Sequence, residues 1–129
     1  MDSLYHAELI EHYKKSLYRR VIDTPTTQFS DFNPSCGDKL TVMLLFDGEQ
    51  ISDIAFQGSG CVISQAAMSM LCEQVDGKDI NTVLKLDGRD ILSLINIELG
   101  PVRMKCATLG LQVVQQALKT WQKNISRSN

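Results

Sequence analysis

Asp47-Gly48 separates two runs, residues 39–46 and 50–57, that are rich in apolar side chains. Leu40, Val42 and Leu44 alternate with Thr41, Met43 and Leu45, and Ile51, Ile54 and Phe56 continue the apolar content. Alternation at a period of two marks a strand with one buried face. An Asp-Gly pair closes a tight hairpin because glycine accepts a positive φ. The pattern therefore predicts an antiparallel hairpin. A shorter extended piece is expected over residues 28–32, around Phe29 and Phe32.

Helical spacing dominates the remainder. Leu4, Ala7, Ile10, Tyr13 and Leu17 fall three or four apart and predict a helix over residues 2–20, capped by Asp2 or Ser3. Residues 33–38, dense in turn formers, predict a loop, and Gly58-Ser59-Gly60-Cys61 a flexible corner. A helix is expected over residues 62–74, with Ile63, Ala66, Ala67, Met70 and Leu71 inward and Gly77 beyond its end. Two short helices are expected near 79–86 and 90–96, each opened by an N-capping Asp, and then a loop over 99–102. The last helix is expected over 103–123, with Ala107, Leu111, Val114, Leu118 and Trp121 on one side, and a frayed polar tail over 124–129. Strands followed by helices make an α+β fold. We expect a small three-stranded antiparallel sheet packed against helices on one face, with a long C-terminal helix. The 129 residues, 1–129, read as one domain.

Several function classes drop out. Lys and Arg total 13 against 15 Asp and Glu, so there is no excess of cations to neutralise phosphates, and no nucleic-acid partner is expected. The longest purely apolar run, Val42–Phe46, is far too short to cross a membrane. Asp2, Glu8 and Glu11 occupy the N-terminus where a signal peptide would carry an apolar segment, so a cytoplasmic location is expected. In that reducing compartment the four cysteines should remain thiols. His6 and His12 are not spaced as a helical metal pair and read as surface residues. Lys14, Lys15, Arg19 and Arg20 form a basic end to the first helix: a solvated face, or a surface for an acidic groove on a partner. No phosphate loop, Ser/His/Asp set or carboxylate pair points to a hydrolase or a kinase.

The cysteines carry the chemistry. Cys36 lies in the loop before the hairpin, Cys61 at the turn from strand to helix, and Cys106 in the first turn of the expected last helix. Gly37, Gly58 and Gly60 allow the backbone to bend beside them. A helix N-terminus favours the thiolate, the form that binds metal or attacks sulfur. Asp38 can add an oxygen ligand. Three thiolates and a carboxylate are a four-coordinate set suited to zinc or to iron in a cluster. Arg103 and Lys105 flank Cys106 and can offset the negative charge of such a site or steady an incoming persulfide; the alternative for both is solvated surface charge. Cys72, in the middle of a helix, reads as a small core hydrophobe.

Three segments carry a resemblance: Asn33-Pro34-Ser35-Cys36-Gly37-Asp38, Gly58-Ser59-Gly60-Cys61-Val62-Ile63-Ser64 and Pro101-Val102-Arg103-Met104-Lys105-Cys106-Ala107-Thr108-Leu109. In this order they resemble the three motifs of the IscU/NifU N-terminal iron–sulfur cluster assembly family, over nearly the whole chain from Leu4 to about Lys119. Lys105 stands where the scaffold branch has a histidine, and this looks more like the SufU branch. The stretch from Cys61 to Cys106 has the shorter scaffold length, and Leu99-Gly100-Pro101-Val102-Arg103 is similar to the scaffold branch's chaperone-recognition loop with Gly100 in place of a proline.

The resemblance implies zinc held by Cys36, Asp38, Cys61 and Cys106, with Cys36 accepting persulfide sulfur from a SufS-type cysteine desulfurase. The alternative it implies is a scaffold whose same four residues hold a transient [2Fe–2S] cluster and pass it to downstream assembly or acceptor proteins. The chain would then be a zinc-dependent sulfurtransferase or a non-enzymatic scaffold.

Overall fold

The computed structural model describes the backbone of residues 3–35 and 37–128 and the side chains of 7–35 and 37–125. The elements follow in the order α1 (Ser3–Lys14), β1 (Thr27–Asn33), β2 (Asp38–Asp47), β3 (Gln50–Ser59), α2 (Val62–Val75), α3 (Ile80–Leu84), α4 (Gly88–Ile95) and α5 (Pro101–Ser128). The α+β architecture is the one expected. One antiparallel sheet runs in the order β1-β2-β3. Asp47 faces Gln50 across the hairpin, so Gly48, at φ +62°, is the first of two central turn residues. Near the tip the register shifts: Leu45 faces Asp53 but Phe46 faces Ile51, which leaves Ser52 as an extra residue on β3.

Period-two alternation places the core. Leu40, Val42, Leu44, Ile54 and Phe56 share one face and are fully buried with Ala67, Leu71, Val114, Ala117 and Leu118 of α2 and α5. Burying each large side chain contributes about 1.5–3 kcal/mol relative to exposure. Gly110 lets α5 lie close on α2, since a Cβ there would sit 2.7 Å from Met68 Sδ. The opposite face is not bare. Met43 and Ala55 are buried beneath Ile22, which arrives on the segment between α1 and β1.

That segment also corrects the expected first helix. α1 stops at Lys14 because the chain turns to join the sheet: the Phe56 N–H donates to the Tyr18 carbonyl at 2.9 Å. Leu17 is therefore 86% exposed rather than on an apolar stripe, Ala7 is exposed, and Leu9 is the buried residue among the described side chains of α1. Asp2, and the side chains of Leu4 and His6, lie outside the described residues. His12 is not a surface residue: it is half-buried, with Nδ1 2.8 Å from Ser69 Oγ. The basic end is partly engaged within the molecule, because Arg20 pairs with Asp53 and Arg19 lies 5.3 Å over the Phe56 ring.

Other boundaries move for local reasons. The expected extended piece is the full strand β1, with Phe29 against the core and Phe32 61% exposed. α4 is capped by Asp87 rather than Asp90, which instead completes a capping box by accepting from the Asp87 N–H at 2.8 Å. α5 begins at Pro101, because proline at a first helical position loses no hydrogen bond. It continues to Ser128, so 124–128 are helical where a frayed tail was expected.

Candidate metal centre

Asp38 opens β2, and Cys61 follows β3 as the N-cap of α2. The register that pairs Lys39 with Ser59 brings the two abreast at the open end of the hairpin. Gly60 lies between them at φ +137°, a conformation that L side chains rarely adopt. A Cβ there would lie 2.9 Å from Asp38 Cα and Cγ and collide with Oδ1, so glycine is required on both counts.

Each ligand candidate is held by the backbone. Asp38 Oδ1 accepts from the Cys61 N–H at 2.8 Å, and Oδ2 lies 3.7 Å from Cys61 Sγ. Cys61 Sγ accepts from the Ser64 N–H at 3.5 Å, the usual N-cap contact made with sulfur. Ser64 is buried; its hydroxyl donates to the Cys61 carbonyl at 3.1 Å and accepts from Gln65 Nε2 at 3.1 Å.

Cys106 comes from α5, with Sγ 3.6 Å from the Val102 carbonyl. It sits more than one turn inside that helix, so the expected benefit of a helix N-terminus does not extend to it. Asp38 has no exposed surface, Cys106 is 3% exposed and Cys61 is half-buried. Ligand atoms of Asp38, Cys61 and Cys106 all lie within 4.8 Å of one another. Cys36 lies outside the described residues.

The donor set fits a zinc ion. Bonds of about 2.0–2.3 Å in a tetrahedron put neighbouring ligand atoms roughly 3.3–3.8 Å apart, and the Asp38–Cys61 separation of 3.7 Å is of that size. A buried carboxylate beside two sulfurs is costly unless a cation or donors compensate it.

The fourth cysteine belongs elsewhere. Cys72 is fully buried in the core, and burial pushes its thiol far above the ordinary range. It is a packing residue, as its sequence context suggested.

A cavity of about 830 Å³ opens on the site. Cys61 and Cys106 lie in its wall with Leu9, Ile10, Val62 and Leu99. Arg103 lines it too, whereas Lys105 is exposed and is not among the lining residues. Of the two cations flanking Cys106, the fold therefore brings one to the groove. Sequence reasoning missed this groove. The partial signal was the apolar Leu99-Gly100-Pro101-Val102 run; the contribution of α1 had none.

Comparison with known proteins identifies the family. The family of NifU-like N terminal domains matches residues 4–128. The zinc-dependent sulfurtransferase SufU of Bacillus subtilis (strain 168) is 30% identical, over 92% of this chain and 91% of its own. The iron–sulfur cluster assembly scaffold protein IscU of Streptococcus pyogenes serotype M1 is 32% identical, over 92% of this chain and 85% of its own. A crystal structure from Fervidobacterium islandicum AW-1, described as an iron–sulfur cluster assembly scaffold protein for the SUF system, superposes with a TM-score of 0.74 at 28% identity, over 86% of this chain and 93% of that one. The chain thus belongs to the NifU-like N-terminal domain family, the family of the IscU and SufU proteins of iron–sulfur cluster assembly.

Proposed function

We propose that this protein is a zinc-dependent acceptor of persulfide sulfur in iron–sulfur cluster assembly, supplied by a SufS-type cysteine desulfurase. The observation that carries the reading is the convergence of Asp38, Cys61 and Cys106 within 4.8 Å, with both cysteines in the wall of a largely apolar groove. Cys36, two residues before Asp38, completes the set. Bound zinc would hold the thiolates together and keep them from oxidation. The compact donor set supports a single ion: a cluster with two ligands on each iron would spread at least one of three donors to the second iron.

The acceptor is Cys36, which the sequence sets among turn formers, whereas Cys61 is tied to the start of α2. Its thiolate attacks the outer sulfur of the donor's persulfide. A sulfur–sulfur bond forms on Cys36 as the donor's breaks, and the donor cysteine departs as a thiolate. Arg103 in the groove wall steadies the approaching persulfide anion, and Lys105, on the surface, adds only diffuse positive charge. Downstream assembly or acceptor proteins then receive the sulfur.

Elemental analysis of anaerobically purified protein should find zinc, and Cys61→Ser should lack it. Incubation with desulfurase and cysteine should add sulfur to Cys36, read by peptide mass spectrometry. Chelated protein accepting sulfur at the full rate would overturn the reading. A second reading, an IscU-type scaffold for a transferable [2Fe–2S] cluster, draws on the carboxylate among the donors, which binds iron less firmly than thiolate. Anaerobic reconstitution without charge-transfer absorbance or stoichiometric iron would end it.

A further inference from the structure

β3 forms one edge of the sheet, and the chain covers that edge only in part. Near its start Gln50 bridges to Asp79, and farther along Phe56 bridges to Arg19. Beyond Phe56 no main-chain partner lies on the outer edge among the described residues, and Gly58, Ser59 and Gly60 are exposed. The Phe56 N–H points outward to Tyr18. Peptide groups two residues apart in a strand point the same way, so the Gly58 N–H and C=O face this open edge.

A recess of about 450 Å³ lies there, lined by Tyr13, Arg19, Gly58, Ser59, Gly60 and Gln65. Two of its side chains hold buried polar atoms without a hydrogen-bond partner among the described residues: Nη2 of Arg19, a donor, and Oε1 of Gln65, an acceptor. Gln65 is only 3% exposed. Buried polar groups are nearly always satisfied, so such a pair in one recess calls for a ligand. The ligand must offer both kinds of group. A simple anion would satisfy Arg19 and the Gly58 N–H but would leave the Gln65 oxygen facing negative charge. An extended polypeptide offers carbonyls and N–H groups in alternation.

We infer that the free end of β3, at Gly58–Gly60, takes an extended main-chain segment of a partner protein as an added strand, with Arg19 donating to one of its carbonyls and Gln65 accepting from one of its N–H groups. Cys61 directly follows this edge, so a segment seated there runs alongside the metal centre. The inference rests on the proposed function in taking the cysteine desulfurase as that partner.

The test is amide hydrogen exchange by NMR on the zinc-loaded protein, with and without purified cysteine desulfurase. Exchange at Gly58 should slow at least about tenfold, while Phe56, already bonded to Tyr18, should not change. Arg19→Met, which keeps the apolar stem over Phe56, should weaken desulfurase binding about tenfold without loss of zinc, as expected for one hydrogen bond to a charged donor. Binding and sulfur transfer with unchanged exchange at Gly58 would overturn the inference and leave the functional reading standing. Protection by inorganic sulfate alone would assign an anion site and overturn it as well. Neither binding nor sulfur uptake would bring down the functional reading and this inference together.

Discussion

The two ends of α2 carry the same side chain in opposite circumstances. Cys61 caps the N-terminus, half-buried, beside a carboxylate and facing a groove. Cys72 lies deeper in the same helix, sealed in the core, where burial holds it as a thiol. Residue type decides little here. The N-terminal position opens on a groove, whereas the core removes water and, with Asp76 nearby, keeps the Cys72 thiol protonated.

The contrast can be broken by substitution. The largest effect is expected from Cys61→Ala, which should abolish zinc binding and reduce sulfur acceptance at least about a hundredfold, whereas Cys72→Ala should keep both; elemental analysis and single-turnover sulfur transfer read the difference. Next, Gly60→Ala should destabilise the fold by about 1–3 kcal/mol through backbone strain alone, with more from the collision with Asp38, measured by urea unfolding. Its zinc affinity should fall in parallel. If Gly60→Ala keeps both stability and zinc, Asp38 is not held as described.

Smaller effects sharpen the other side. With zinc removed, Cys61 should react with a soluble thiol reagent while Cys72 stays protected until the chain unfolds; equal reactivity would contradict the burial of Cys72. The smallest effect is on pH dependence. The folded-state value for Cys72 is raised above its unfolded one, so the folded protein retains a proton that the unfolded chain releases. Stability should therefore fall as pH rises above about 9, where an unfolded cysteine ionises. Cys72→Ala should flatten that decline, as thermal melts between pH 8 and about 10.5 can show.

Local signals made much of this legible in advance. The hairpin was written in its alternation and in Asp47-Gly48, and α2 in its spacing and the glycine after its end. What escaped notice depends on distant partners. Leu17 continued a helical stripe on paper, yet the chain leaves the helix before it because Tyr18 bonds to Phe56, far along the sequence. Arg20 read as free charge until the fold supplied Asp53. In the site, Asp38, Cys61 and Cys106 were legible as donors because glycines and turn formers surround the first two. The split between Arg103 and Lys105 was not, since α5 begins earlier than its apolar spacing suggested and its rotation sets which cation meets the groove.

The bulge at Ser52 has a consequence at the far end of the hairpin. The strands work as a pair of tongs, and the one-residue offset near the pivot fixes which residue of β3 meets Asp38. Straightening that offset at unchanged strand length would slide the jaws by one position, set Asp38 against Ser59 instead of Gly60, and turn alternate side chains to the wrong side of the sheet. A substitution near the tip that straightened the bulge without shortening β3, remote from every candidate ligand, would thus disarm the centre, whereas deletion of Ser52 itself would keep Leu45 opposite Asp53 and leave the jaws in place.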